Sequence, residues 1–288
     1  MTETDYLNAG LIRTFIDRAL KEDIGEGDQS SLASIPNNAK AKAKLLFKDE
    51  GIIAGISLAQ KIYNRVDNEL VFEPFNKDGD AMHQGQIGFI IKGKIRSILQ
   101  GERLVLNCMQ RMSGIATKTR NMVNMIHGTN AKLLDTRKTT PNFRLAEKWA
   151  VKIGGGMNHR YGLFDMIMLK DNHIDYAGGI ENAIVSANKY LRTTGKKLKI
   201  EVETRNIQEV EEVLKVGGVD LIMLDNMMPS VMKEAVKLIN GRYLIEASGG
   251  INEQKIREVA DSGVDYISVG ALTHTYKSLD ISLKAEDF

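Results

Sequence analysis

Cysteine is nearly absent: Cys108 is the single one in 288 residues. An internal disulfide is therefore excluded, and the composition suits a reducing compartment. Cys108 stands in the apolar run Leu104–Met109, so it reads as an inert core thiol rather than a nucleophile. Charge of one sign is also lacking. With 39 bases against 37 acids the net charge is only +2, which gives no case for nucleic acid or an anionic membrane as partner. Any anion site must come from local clustering. No run approaches the ~20 apolar residues of a membrane span. The start, MTETDYLNAG, is acidic and polar, unlike a secretory signal. A soluble cytoplasmic protein is the expectation. No G-x-G-x-x-G follows an apolar run, so the dinucleotide-binding fingerprint is missing too.

What is present is enough for a packed core: 43% hydrophobic and 26% charged residues. The first part of the chain reads as mixed α/β. Residues 10–24 have helical spacing, and GEGDQSS after them breaks the pattern. KAKAKLLFKDEGIIAG reads as strands and LAQKIYNRV as helix. LVFEPF and IGFIIKGKIRSIL read as further strands. Residues 101–127 keep a helical period and are expected to form two helices broken near Ser113-Gly114. Trp149 and the methionine-rich segments read as core, and KYLRTTGKKLK as a solvated helix end and loop.

The rhythm then changes. AKLLDTRK, FDMIMLKDNH, LKIEVET, VDLIMLDN, YLIEASGG and VDYISVGA recur as apolar runs that end in polar residues. Helical patterns near 143–152, 178–193, 206–216, 229–239 and 252–262 separate them. Such alternation predicts a parallel sheet. Nearly every run ends in a charged or small polar residue, which favours a barrel over a doubly wound sheet, where such residues gather at one switch point. Six good strands and a weak one fall short of eight, so the barrel is expected to be incomplete.

The strand ends supply Thr136, Arg137 and Lys138, then Lys170, Glu203, Asp225, Ser248, Gly249, Gly250 and Gly270. GGGMNHR adds His159 and Arg160. Brought to one end of a barrel, these residues make a cationic site in a nearly neutral chain. A multiply anionic small molecule is its natural ligand, because the arginine fork binds carboxylates and phosphates bidentately. The two glycine segments suit phosphate, since backbone N–H groups can approach its oxygens there. Glu203 and Asp225 can hold such a ligand through Mg²⁺ or accept sugar hydroxyls; a general acid/base pair is the rival use. His159 can be a substrate contact or a satisfied structural histidine. Lys170 can pair with Glu203 or Asp171, and a Schiff-base aldolase using Lys170 is an alternative activity. A non-catalytic ligand-binding protein is a third class.

These segments, together with GERLVLNCMQRMSGIAT and LLDTRKTTPNFRLAEKWAVKIGGGMNHRYGLFDMIMLKDNHI, resemble quinolinate phosphoribosyltransferases over nearly the whole chain. The resemblance implies an N-terminal α/β sandwich, residues 1–112, joined by the tail 276–288. An incomplete α/β barrel would occupy 113–275. It implies transfer of phosphoribosyl from phosphoribosyl pyrophosphate to quinolinate with decarboxylation, in NAD biosynthesis, with Mg²⁺ as cofactor. Another pyridine or base acceptor stays open within that class. It also implies a homodimer, or a larger assembly of dimers such as a hexamer, with each site sharing one arginine across subunits. By motif that arginine is Arg103. Arg137, Arg160 and Lys170 match the clamp on the two quinolinate carboxylates, with His159 beside them. Lys138, Glu203, Asp225, Ser248, Gly249, Gly250 and Gly270 match the phosphoribosyl pyrophosphate and Mg²⁺ side, and the catalytic set is Lys138, Lys170, Glu203 and Asp225. Asn142 stands where the family often has glycine; asparagine tolerates turn geometry.

Overall fold

The computed structural model describes residues 6–286; the acidic start MTETD and the last two residues lie outside the described part. The described chain divides into two compact units. One holds the chain up to Arg120, Thr139–Gly155 and the stretch from Thr273 onward. The other holds Asn121–Lys138 and Gly156–Leu272.

The first unit opens on α1 (Ala9–Ile24), whose N-cap Asn8 accepts the Leu11 N–H. Ile12 and Ile16 face its core, and Gly25 at φ 54° ends it. The sequence reading expected only a break here. Instead Asp28 caps a second, short helix, α2 (Gln29–Ser34), by accepting the Ser31 N–H at 3.1 Å. An aspartate three residues before a serine is a start signal that outweighs the two glycines before it. There follow β1 (Lys40–Phe47), β2 (Gly51–Ile52), α3 (Ile56–Val66), β3 (Val71–Pro74), β4 (Ala81–Met82) and β5 (Ile87–Lys94). In β1 the alternation K-A-K-A-K-L-L-F sends Ala43, Leu45 and Phe47 inward. Tyr63, Phe72 and Phe89 pack beneath them, with the Phe72 and Phe89 rings 4.5 Å apart.

Two expectations fail in α4 (Ile95–Met125). The strand read through IGFIIKGKIRSIL stops at Lys94, and Ile95 already begins the helix. That helix is one continuous run of 31 residues, with no break at Ser113-Gly114. Both residues are there for packing. A Cβ on Gly114 would come within 2.3 Å of the Lys277 carbonyl oxygen. The Ser113 hydroxyl accepts the Ala54 N–H at 3.0 Å. A helix needs only an otherwise good register to carry such a pair.

Next come β6 (Lys132–Leu134) and α5 (Arg144–Ile153), the latter part of the first unit. Its Glu147 is fully buried and takes Arg111 Nη2 and the Thr140 N–H, each at 2.9 Å. The second unit then runs β7 (Ile167–Leu169), α6 (Asp171–Ala177), α7 (Ile180–Thr194), β8 (Ile200–Thr204), α8 (Ile207–Val216), β9 (Leu221–Asp225), α9 (Pro229–Ile239), β10 (Leu244–Ser248), α10 (Ile256–Ala260) and β11 (Tyr266–Ser268). After α11 (Ala271–His274), β12 (Ile281–Glu286) completes a four-stranded antiparallel sheet, β12-β1-β5-β3. The helix expected near 178–193 is preceded by the extra short helix α6, about two turns long, which Gly178 at φ 81° separates from α7. The helix expected at 252–262 shrinks to α10.

The second unit carries six parallel strands in the order β6-β11-β10-β9-β8-β7. Its edge strands β6 and β7 follow one another in the chain yet are not paired. The sheet is an open, incomplete barrel. Met157 adds one isolated parallel bridge to Leu134 rather than a seventh strand.

Candidate active site

Register decides which side chains meet. In a parallel ladder, directly paired residues lie on the same face. Met168 pairs with Glu201, Glu203 with Met223, and Asp225 with Ser248. Glu246 pairs with Met223 and Tyr266, and Ser268 with Leu134. Carried two residues at a time past the short strands, one face holds Thr136, Lys170, Glu203, Asp225, Ser248 and Gly270 at its C-terminal end. The bridge of Met157 to Leu134 puts His159 on that face as well. Residues read separately from six strand ends thus share one face at one end of one sheet.

Local structure sets the details. Asp135 is fully buried; its Oδ1 accepts the His159 N–H at 2.9 Å and its Oδ2 the Asn158 Nδ2–H at 2.6 Å. The loop that follows turns where Thr136 Oγ1 accepts the Lys138 N–H at 3.0 Å, leaving Arg137 half-buried and Lys138 exposed. Arg160 is half-buried beside the loop carrying Arg137. Burial lowers its pKa, and the Arg137 charge lowers it further. Lys170 Nζ lies 2.5 Å from Glu203 Oε2, the ion pair named above as one of its alternatives. Asp225 Oδ2 accepts the Asn226 Nδ2–H at 2.7 Å. Gly249 (φ 93°) and Gly250 (φ 59°) are in the left-handed region. A Cβ on Gly249 would meet Asn226 Oδ1 at 2.3 Å, so glycine is required there. Arg103 lies at an exposed position of α4, in the first unit.

His159 is 6% exposed. Its Nε2 is 3.0 Å from Glu201 Oε2 and 3.2 Å from Glu246 Oε2, and its Nδ1 accepts the Arg160 N–H at 2.6 Å. Burial alone would pull its pKa down, but the two carboxylates overcome this and raise it to about 10. Burial and the Glu246 charge push Glu201 up to about 7. The Arg160 contact suits a bare Nδ1, that is a neutral Nε2–H ring with one carboxyl protonated, whereas the raised pKa of His159 favours the imidazolium. An imidazolium with two carboxylates has the same net charge of −1. Proton placement differs between the two forms, but the charge of the cluster does not.

The family models of quinolinate phosphoribosyl transferase match the chain in two parts, the N-terminal domain over residues 28–113 and the C-terminal domain over 115–284. The chain belongs to the quinolinate phosphoribosyltransferase family. A chloroplastic nicotinate-nucleotide pyrophosphorylase [carboxylating] of Oryza sativa is 48% identical over 290 residues, covering 96% of this chain and 78% of the relative. A probable nicotinate-nucleotide pyrophosphorylase [carboxylating] of Bacillus subtilis is 40% identical, covering 94% and 92%. The crystal structure of NadC from Streptococcus pyogenes superposes with a TM-score of 0.92 at 40% identity, covering 99% of this chain and 100% of the other.

For a quinolinate phosphoribosyltransferase, several residues of this site escape the motif reading. Asn226 stands at φ 54°, linking Asp225 to the Gly249 turn through its amide and its N–H to the Ser248 carbonyl at 2.9 Å. Asp135 anchors Asn158 and His159. Glu201 and Glu246 lie two residues before Glu203 and Ser248, one layer deeper. The available signal was a glutamate at the second position of the apolar strand IEVET and one in the middle of LIEAS.

Proposed function

We propose that the chain transfers phosphoribosyl from phosphoribosyl pyrophosphate to quinolinate with loss of CO₂, giving nicotinate mononucleotide and pyrophosphate for NAD biosynthesis. The observation that supports this reading is the shared face: Lys170, Glu203 and Asp225 meet the Ser248–Gly250 turn at one end of the open barrel. Arg137, Arg160 and Lys170 hold the two adjacent carboxylates of quinolinate, with Arg103 given by the second subunit of a homodimer. Lys138, the Ser248–Gly250 turn and Gly270 hold the phosphate groups. The oxygen-only pair Glu203 and Asp225 suits a hard divalent cation, and these two residues would hold Mg²⁺. When bound, Mg²⁺ neutralises pyrophosphate charge. Lys170 is neutralised by Glu203 in the free protein and exchanges that partner for a substrate carboxylate.

In the reaction, the bond from ribose C1 to pyrophosphate breaks with its electron pair leaving on pyrophosphate. The quinolinate nitrogen lone pair closes on C1. Loss of CO₂ then leaves an electron pair on the ring carbon beside the cationic nitrogen, which stabilises it until a solvent proton arrives. The protein's part is positioning and electrostatics. No described helix is long and apolar enough to cross a membrane. A cytoplasmic location is part of the proposal; plant relatives are named chloroplastic or mitochondrial. The aldolase alternative is dropped with the family established.

The test is an assay of the purified protein with quinolinate, phosphoribosyl pyrophosphate and Mg²⁺, with nicotinate in parallel. Nicotinate mononucleotide and CO₂ from quinolinate alone is the expected result. Product from nicotinate alone would retain the phosphoribosyl half and discard the dicarboxylate clamp. For the shared site, Arg103→Ala and Lys170→Ala, each inactive, should regain activity on mixing. No recovery despite demonstrated subunit exchange would sink it.

A further inference from the structure

The layer beneath the site is unusual. On the same face, two residues before the strand-end set, lie Leu134, Met168, Glu201, Met223, Glu246 and Ser268, with His159 beside Leu134's bridge. Barrel interiors are ordinarily filled by branched apolar side chains. Here Glu201 and Glu246 are both 0% exposed. Glu201 Oε1 and both Glu246 oxygens are buried without a hydrogen-bond donor among the described residues. Burying two carboxylates costs several kcal/mol each unless they are compensated, and leucine or methionine would fill the same space without that penalty. Stability does not explain these acids.

Their contacts lead in one direction. Both reach His159 Nε2, at 3.0 and 3.2 Å. The opposite ring nitrogen accepts the Arg160 N–H at 2.6 Å, and the His159 N–H is fixed by Asp135. The ring is thereby held from three sides, and Arg160 follows directly in the chain. Arg160 also needs negative charge near it, because Arg137 repels it and Glu201 attracts it. Among the described residues, His159, Glu201 and Glu246 form the one cluster of three or more histidine, cysteine or acidic residues whose ligand atoms all lie within 4.8 Å of one another. The separations of 3.0 and 3.2 Å are those of hydrogen bonds to the histidine ring, not of ligands around a metal ion.

We propose that Glu201 and Glu246 are positioning residues for the carboxylate clamp: through His159 they fix the backbone of Arg160, and their buried charge lets Arg137 and Arg160 stand close before substrate arrives. The inference rests on the clamp reading given above. It makes the deeper layer part of substrate selection, acting on the dicarboxylate side and not on the phosphoribosyl side.

The experiment is a two-substrate kinetic comparison of wild type, Glu246→Gln, Glu201→Gln, Arg160→Ala and the double variant Glu246→Gln/Arg160→Ala. Circular dichroism and thermal melting check each fold, and the second glutamine variant serves if the first does not fold. Either glutamine variant should raise the quinolinate KM about 10- to 100-fold, the usual effect of removing a group that orients a binding residue. The KM for phosphoribosyl pyrophosphate should change far less. In the Arg160→Ala background the glutamine substitution should add little, because its effect passes through Arg160. Unchanged quinolinate KM, equal rises in both KM values, or fully multiplicative effects would overturn the proposal while leaving the clamp intact. Arg160→Ala with an unchanged quinolinate KM would instead remove the clamp reading and the inference with it. One tightly bound metal ion per chain, lost in Glu246→Gln, would also overturn it and make the cluster a metal centre.

Discussion

The two sheets spend their interiors differently. Inside the antiparallel sheet, Leu45, Phe47, Phe89 and Ile91 are all 0% exposed, and charge is kept to the other face, as in the Lys44–Glu286 and Lys92–Glu73 pairs. Inside the parallel sheet, Glu201, Glu246 and His159 lie in the layer where such a residue would normally be apolar. The first sheet maximises burial; the second retains uncompensated polar atoms beneath the strand ends proposed to hold the anionic substrates. The lesson is that polar burial marks where this protein gave up stability for a site. Substitutions inside the first sheet should therefore change stability without changing substrate affinity, and substitutions in the second should do the reverse.

The sharpest way to break that contrast is Phe89→Ala. Phe89 packs on Phe72 and Tyr63 with no exposure, so the cavity should cost about 3–5 kcal/mol. Thermal or denaturant unfolding reads the loss, and the fraction still folded should keep its KM for both substrates. A raised KM in folded protein would mean that the two interiors are not separable. Arg137→Ala is the counterpart in the second unit. Loss of a bidentate charged contact should lower kcat/KM for quinolinate about 100-fold, roughly 2.7 kcal/mol. The melting temperature should stay within a few degrees of wild type.

How legible these two regions were follows the same division. Period-2 alternation in KAKAKLLF and the βα rhythm after Ala131 come from local chemistry, so strands and helices could be read from the sequence. The six strand-end runs are the six strands of the sheet. Ser113-Gly114 misled because its cause is tertiary: only the approach of Lys277 shows why glycine sits there. KGKIRSIL misled at Lys94 because alternation persists for a few residues into an amphipathic helix start. The strand-end candidates could be read because charge at the end of an apolar run is conspicuous, and the register brings those strand ends together. Glu201, Glu246 and Asp135 were missed because a buried acid has only a weak local signature; the partner His159 lies 24, 42 and 87 residues from Asp135, Glu201 and Glu246.

Two asparagines sharpen the comparison further. Asn142 (φ 62°) and Asn226 (φ 54°) both occupy the left-handed region that glycine adopts more easily. Asn142→Gly should leave stability within a few tenths of a kcal/mol and kinetics unchanged. Asn226→Gly relieves the same backbone but removes the hydrogen bond to Asp225, so the KM for phosphoribosyl pyrophosphate should rise about tenfold. Equal behaviour of the two variants would show that Asn226 serves the turn alone.

An effect on stability alone is expected far from either interior, at the start of α2. Asp28 caps that helix through the Ser31 N–H and hydroxyl, so Asp28→Ala should cost about 1 kcal/mol. Its pKa is lowered from 3.8, first by the Ser31 hydroxyl and then by the Ser31 N–H, both of which favour the carboxylate. A lowered folded pKa means stabilisation that is complete above the unfolded value and is lost as pH falls through the folded one. The melting difference between wild type and Asp28→Ala should therefore be constant near neutral pH and shrink below about pH 3.8. Kinetics should not change at all, because the cap touches neither sheet's interior. A difference that held steady into strong acid would mean that α2 is stabilised by the shape of the aspartate and not by its charge.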